Sequence, residues 1–270
     1  FQEALALQEV FETMGYLVQV YTQTNQLDEA RRLLERMTEM EPTHANTFLN
    51  LANICFVQED YPAMAEAARK AIAIEEGNAM GHYLLGKATD GQGDGIMCIA
   101  HLTKAILLKD DFTEARLLRA EALLKMQQYK EATEDIDAIL SQDPDEESAL
   151  LLRGRIKEAT GQPEEAEADF RKVTEDNPFN EQAYLCLGQL YIGQKKLTEA
   201  IALFDEAIEL NPNFAKAYHE RGRAKLLNGD KDGATEDLKK ELELNPKEGE
   251  TFNGEYNNQP GGRQTNILGL

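Results

Sequence analysis

Five prolines constrain this chain more than any other feature. Pro144, Pro178, Pro212 and Pro246 follow one another at intervals of 34 residues, and Pro42 lies three such intervals before Pro144. Glu76 and Asp110 hold the two places between, and the phase passes through both without insertion or deletion. Proline has no amide hydrogen to donate and disfavours helix in the residue before it, so prolines in one phase end a helix at the same point of each repeat. The register divides the chain into seven units, 11–44, 45–78, 79–112, 113–146, 147–180, 181–214 and 215–248. Within each unit, apolar residues recur at helical spacing in two segments separated by a short polar turn, such as Gln58-Glu59-Asp60 or Asn228-Gly229-Asp230. Each unit therefore reads as a helical hairpin. A lone hairpin cannot bury its apolar face, so neighbours must stack, and the units are expected to form one continuous solenoid rather than seven domains.

The unit from Glu181 to Phe214 is the most regular. It carries Tyr184, Leu187, Gly188, Tyr191, Ala200, Phe204 and Pro212 at fixed offsets, and this spacing resembles the tetratricopeptide repeat, with tyrosine in place of the opening tryptophan. The resemblance implies an all-α, right-handed superhelical solenoid of about seven 34-residue helix-turn-helix repeats, with first helices lining the concave side. It also implies a protein-protein interaction scaffold whose concave groove receives a peptide or helical segment of a partner. In this family the groove is lined by positions two, five, nine and twelve of each first helix. Here position five reads Leu49, Tyr83, Leu117, Leu151 and Leu185, position nine Asn53, Lys87, Glu121, Arg155 and Gln189, and position twelve includes Phe56, Leu124 and Ile192. Such a lining suits an extended apolar peptide or an amphipathic helix. The alternative for any of these leucines is burial between adjacent first helices. The family's clamp for acidic chaperone tails needs Lys at position five, which is apolar from the second to the sixth unit, so that partner is not expected despite Asn50 and Asn53.

Position seven varies in a correlated way. The fourth, fifth and seventh units place Arg119, Arg153 and Arg221 there, and sixteen residues later the same three units carry Asp135, Asp169 and Asp237. The other units pair Leu17 with Leu33, Leu51 with Ala67, Leu85 with His101 and Leu187 with Leu203. Because position seven faces the second helix, an Arg–Asp ion pair is expected to bridge the hairpin in those three units. The third unit departs furthest from the pattern, with His82, Thr89 and Cys98 where the regular copy has Tyr184, Tyr191 and Ala200, and local fraying is expected there.

The search for chemistry returns little. No phosphate-binding, nucleophile-elbow, zinc-protease or dinucleotide motif is present, so no enzyme, catalytic residue or cofactor is expected. The run Asp90-Gly91-Gln92-Gly93-Asp94-Gly95 starts like a calcium loop, but the twelfth place, which needs Glu, holds His101. His82, Cys98 and His101 are read as packing residues rather than metal ligands, and Cys55, Cys98 and Cys186 as buried thiols. A net charge of −21, from 49 acidic and 28 basic residues, argues against nucleic acid and anionic membranes, which need clustered Lys and Arg. No apolar run reaches membrane-spanning length, so membrane insertion is not expected.

The ends are less regular. Residues 1–10 are helix-forming and run into the first unit, as an extension of its first helix or the remnant of an upstream repeat. Residues 249–270 are rich in Gly, Asn and Gln, with Phe252, Tyr256, Ile267 and Leu268 able to bury something. By composition the tail reads as disordered, and the alternative is that it packs on the last hairpin or in a groove of its own or a neighbouring molecule. A self-assembling protein is thus the alternative to a partner-binding one. The lack of a signal segment points to the cytoplasm, with an exported location left open because the sequence starts at Phe1 rather than Met.

Overall fold

The computed structural model describes residues 2–246, with side chains described from Val10 onward. These residues form α-helices joined by short turns, with no strand among them. They fall into two compact units that divide between Pro144 and Asp145. The first unit contains α1 (Gln2–Gln23), α2 (Leu27–Met40), α3 (Ala45–Val57), α4 (Tyr61–Ile74), α5 (Ala79–Gly91), α6 (Gly95–Leu108), α7 (Thr113–Lys125) and α8 (Tyr129–Leu140). The second contains α9 (Glu147–Ala159), α10 (Pro163–Asp176), α11 (Glu181–Gly193), α12 (Leu197–Leu210), α13 (Ala215–Leu227) and α14 (Lys231–Leu244). Odd-numbered helices are the first, and even-numbered helices the second, of seven successive hairpins. Residues beyond Pro246, and the expectations placed on the tail, lie outside the described residues.

The turn inside each hairpin is built the same way. Asn25, Glu59, Gly93, Gln127, Gly161, Lys195 and Gly229 all have positive φ, from 57° to 92°, and follow at steps of 34. The residue after each closes back on the helix it leaves. The amides of Gln26, Asp60, Asp94, Gln128, Gln162, Lys196 and Asp230 donate to carbonyls five residues earlier at 2.7–2.9 Å. This left-handed cap satisfies carbonyls that the helix end would otherwise leave bare. Asp60, Asp94 and Asp230 then serve the next helix, accepting the amides of Ala63, Met97 and Gly233 through their side chains.

Hairpins close around a small residue on the first helix facing a large one on the second. In the second unit Gly154 meets Phe170 and Gly188 meets Phe204, with both rings fully buried. A Cβ on Gly188 would lie 2.5 Å from Phe204 Cε1, so the glycine is required by close approach. In the first unit Gly86 and Leu102, and Ala120 and Ile136, repeat this pairing, while the second hairpin has Ala52 and Ala68, both small, at the same places, all buried. The third hairpin, despite its atypical residues, has unbroken helices. Cys98 and Leu102 are fully buried, and the Thr89 hydroxyl donates back to the carbonyls of Leu85 and Gly86.

Candidate functional site

Successive first helices touch within each unit, α3 with α5 and α5 with α7 in the first, α9 with α11 and α11 with α13 in the second. This contact makes an inner face, and it decides which position-five side chains remain accessible. Leu49 and Leu185 are 8% and 1% exposed, and Ile192 at position twelve is 8% exposed. These three pack in the core beside Leu84 and Leu85, or Leu187 and Leu190, and so leave the accessible lining. Tyr83, Leu117, Leu151 and Leu124 are half-buried, and Phe56 is exposed. Among the position-nine residues Asn53 is exposed, while Lys87, Glu121, Arg155 and Gln189 are half-buried.

In the first unit, Lys87 of α5 places its ammonium 3.6 Å from the centre of the Phe56 ring and 5.6 Å from that of Tyr83. Tyr83 packs in turn against Phe112, with ring centres 5.0 Å apart. Burial lowers the Lys87 pKa, and no counter-charge offsets that shift. The ammonium is held over aromatic faces, an arrangement favoured by their negative quadrupole.

The same unit has a cleft of about 510 Å³ between α1 and α3. Val18, Leu34, Met37 and Ile54 form its apolar part, and Glu12, Gln19, Asn50 and Asn53 its polar rim. Gly15, which also lines it, occupies position five of its repeat, where the next five repeats have leucine or tyrosine. Sequence reasoning began its groove at Leu49 and missed this cleft. The glycine itself was the available signal.

The inner face of the second unit is differently occupied. Gln189 donates through Nε2 to Glu220 Oε1 at 2.8 Å, and Arg223 Nη1 lies 3.1 Å from Glu220 Oε2. Glu158, at the edge of this face, is exposed in surface area, yet protein on its flanks desolvates the carboxyl and raises its pKa, with Arg155 offsetting part of the rise. Cys98 and Cys186 are pushed up to about 12 and about 11 by burial, so both thiols stay protonated and unreactive at neutral pH.

Position seven behaves as a structural seam. Arg119 Nε and Nη2 donate to the two carboxylate oxygens of Asp135 at 2.7 and 2.6 Å. Arg153 holds Asp169 in the same way at 2.9 and 2.7 Å, and Arg221 holds Asp237 from Nε at 2.9 Å and from Nη2. Each aspartate is buried and takes a second cation: Arg116 on Asp135, Lys157 on Asp169 and Lys225 on Asp237. Sequence reasoning missed these second cations, because they come from position four in one hairpin and position eleven in the others. In the third hairpin His82 and His101 take the places of Arg116 and Asp135, with ring centres 6.2 Å apart. No group of three or more potential metal ligands occurs among the described residues. No described helix is long and apolar enough to cross a membrane.

Comparison with known proteins agrees with this architecture. A family model for the tetratricopeptide repeat matches residues 17–79, 117–181 and 151–213, and a second one matches residues 203–236. No curated protein sequence matches significantly. Among solved structures, a tetratricopeptide repeat protein from Parabacteroides merdae ATCC 43184 superposes with a TM-score of 0.80 at 19% identity, covering 91% of this chain and 97% of that one. PilW, described as a widely conserved type IV pilus biogenesis factor, gives 0.66 at 18% identity, covering 77% and 96%. YrrB, described as a TPR protein with an unusual peptide-binding site, gives 0.51 at 20% identity, covering 69% and 96%. At these identities the structural likeness speaks for the fold alone. The family models together span more than half of the sequence, and the chain belongs to the tetratricopeptide repeat family.

Proposed function

We propose that this chain is an interaction scaffold that receives a peptide or helical segment of a partner protein on the inner face of its first helices. The observation that carries this reading is the inner face of the first unit. Phe56, Tyr83, Leu117 and Leu124 leave apolar surface accessible there, beside the polar side chains of Asn53, Lys87 and Glu121. Apolar surface fixed in place on a rigid scaffold, with a few polar groups to orient a ligand, is what a recognition site for a chain segment needs. YrrB, of the same fold, is described as having a peptide-binding site, which is consistent with this use of the architecture. In the second unit, taken by itself, Leu151 and Arg155 are the corresponding half-buried residues, while Gln189 is already engaged by Glu220.

Affinity capture tests the reading. The intact chain is compared with chains carrying Leu117→Glu and Leu151→Glu, both at half-buried inner-face positions. Loss of the captured partner from either variant, with circular dichroism unchanged, supports the inner face. Capture of the same partners by all three chains contradicts it. Recovery of a second copy of the chain as the sole inner-face ligand would establish self-assembly instead.

A further inference from the structure

Gly15 breaks a local rule without a structural reason. It lies in the interior of α1, where glycine lowers helix stability relative to other residues. Glycines inside other helices are accounted for by packing: a Cβ on Gly86, Gly154 or Gly188 would collide with Leu102, Phe170 or Phe204, and Gly193, which meets nothing, is the last residue of α11. A Cβ on Gly15 would meet nothing within 4 Å, and its φ is not positive. A position that departs from its sister repeats at a cost in stability, with no packing to explain it, is a sign of function. What the missing side chain leaves is the cleft of about 510 Å³ floored by Val18, Leu34, Met37 and Ile54.

The rim of that cleft leads to a second unusual group. Asn53 borders the cleft, Phe56 follows one turn later on α3, and the Lys87 ammonium stands 3.6 Å over the Phe56 ring. Arg116, Arg119, Arg221 and Lys225 each sit on a carboxylate. Lys87 has aromatic faces and no carboxylate partner among the described residues. A half-buried ammonium without a counter-ion is complementary to an anion brought by a ligand. The chain's overall negative charge does not override this, since charges beyond about 8 Å are screened at physiological salt while Lys87 acts at contact.

We propose, building on the inner-face reading above, that the Gly15 cleft is an anchor pocket for a bulky apolar side chain of a partner peptide, and that Lys87 receives an acidic side chain a few residues along it. The cleft supplies burial for the anchor, and the amides of Asn50 and Asn53 on its rim can meet the peptide backbone. Lys87 sets direction and selects for charge.

The test is selection of a random 12-residue phage-displayed peptide library on the full chain, with anisotropy titrations of the enriched peptides and their Glu→Gln analogues. The expected peptides carry Leu, Ile, Phe or Trp within a few residues of Asp or Glu. Gly15→Leu, which fills the cleft, weakens them by about tenfold or more while raising the melting temperature by about 2–4 °C. Lys87→Met reduces the preference for Glu over Gln to about one. Equal binding by the wild-type and Gly15→Leu chains overturns the pocket, and a Glu/Gln preference unchanged by Lys87→Met overturns the charge selection. Peptides that ignore both substitutions but are lost with Leu117→Glu leave the inner face standing and remove this proposal. An absence of any enriched peptide removes both.

Discussion

The two units use the same positions of the same repeat to different ends. On the inner face of the second unit, Leu185 and Ile192 are buried and Gln189, Glu220 and Arg223 satisfy one another. On that of the first, Gly15 leaves a cleft, Phe56 is exposed, and Lys87 is held over rings with no carboxylate partner among the described residues. Position alone therefore does not decide whether a residue packs or is presented. The size of its neighbours and the presence of a counter-ion decide it, so one glycine or one lysine can change a packed seam into accessible surface.

That contrast can be broken most sharply in the packed seams. Asp237→Ala would leave Lys225 without its carboxylate and Arg221 with only the exposed Asp205, at an expected cost toward the low end of about 3–5 kcal/mol. The companion cycle on Arg153 and Asp169 should show strong coupling in urea unfolding, each single variant being worse than half the double. Additive effects would show that the seam does not act as a pair.

The glycines give the next largest effect and opposite signs in the two units. Gly188→Ala forces a methyl group against Phe204 and should destabilise by about 1–3 kcal/mol. Gly15→Ala should stabilise by about 0.5–1 kcal/mol, since it improves helix propensity and meets nothing. Thermal melts of the two variants read both signs at once. A loss of stability in Gly15→Ala would mean that its glycine is structural after all.

Acid should find the first unit through its third hairpin. Burial lowers the pKa of both His82 and His101 below the ordinary 6.5. The charge of Lys104 lowers His82 further, and His82 and then Arg69 lower His101 further, while a backbone hydrogen bond at Glu76 and the charge of Asp94 oppose these effects. His82 Nδ1 is buried without a protein hydrogen-bond partner. As pH falls through 6.5 the unfolded chain takes up protons before the folded one does, so stability falls over that window and continues to fall toward the lower folded values. The melting temperature should drop between pH 7 and pH 5 in the wild type, and less so in a His82→Phe/His101→Leu chain. Equal drops in both chains would place the acid sensitivity elsewhere.

Much of the fold was legible because the same physical demands recur at one phase. Prolines end the second helices, and the residues entering the left-handed turn fall at steps of 34, with Gly93, Gly161 and Gly229 among them visible in advance. Glu59, Gln127 and Lys195 take the same conformation with ordinary side chains, so a polar break such as Gln58-Glu59-Asp60 marked the turn but only the register picks out its left-handed residue. The Arg–Asp seam was readable from correlated exchange at two positions, whereas Arg116, Lys157 and Lys225 were not, since the second cation reaches each aspartate from different places. Burial of Leu185 beside exposure of Phe56 depends on which side chains adjacent helices bring, and a position code does not carry that. The Gly15 cleft was hidden for a related reason, because a search for side chains that line a surface passes over a residue that has none.

The central claim, that partners dock on the inner face, is tested most directly by site-specific photo-crosslinking in lysate. A photoreactive residue is placed at Leu117 on α7, and in a second chain at Leu107 on α6, which is 77% exposed and belongs to a second helix. The account predicts a discrete crosslinked partner from position 117 that is absent from position 107 and is competed by a peptide selected on the chain. Crosslinking confined to position 107, or of equal yield at both and unaffected by the peptide, would contradict it.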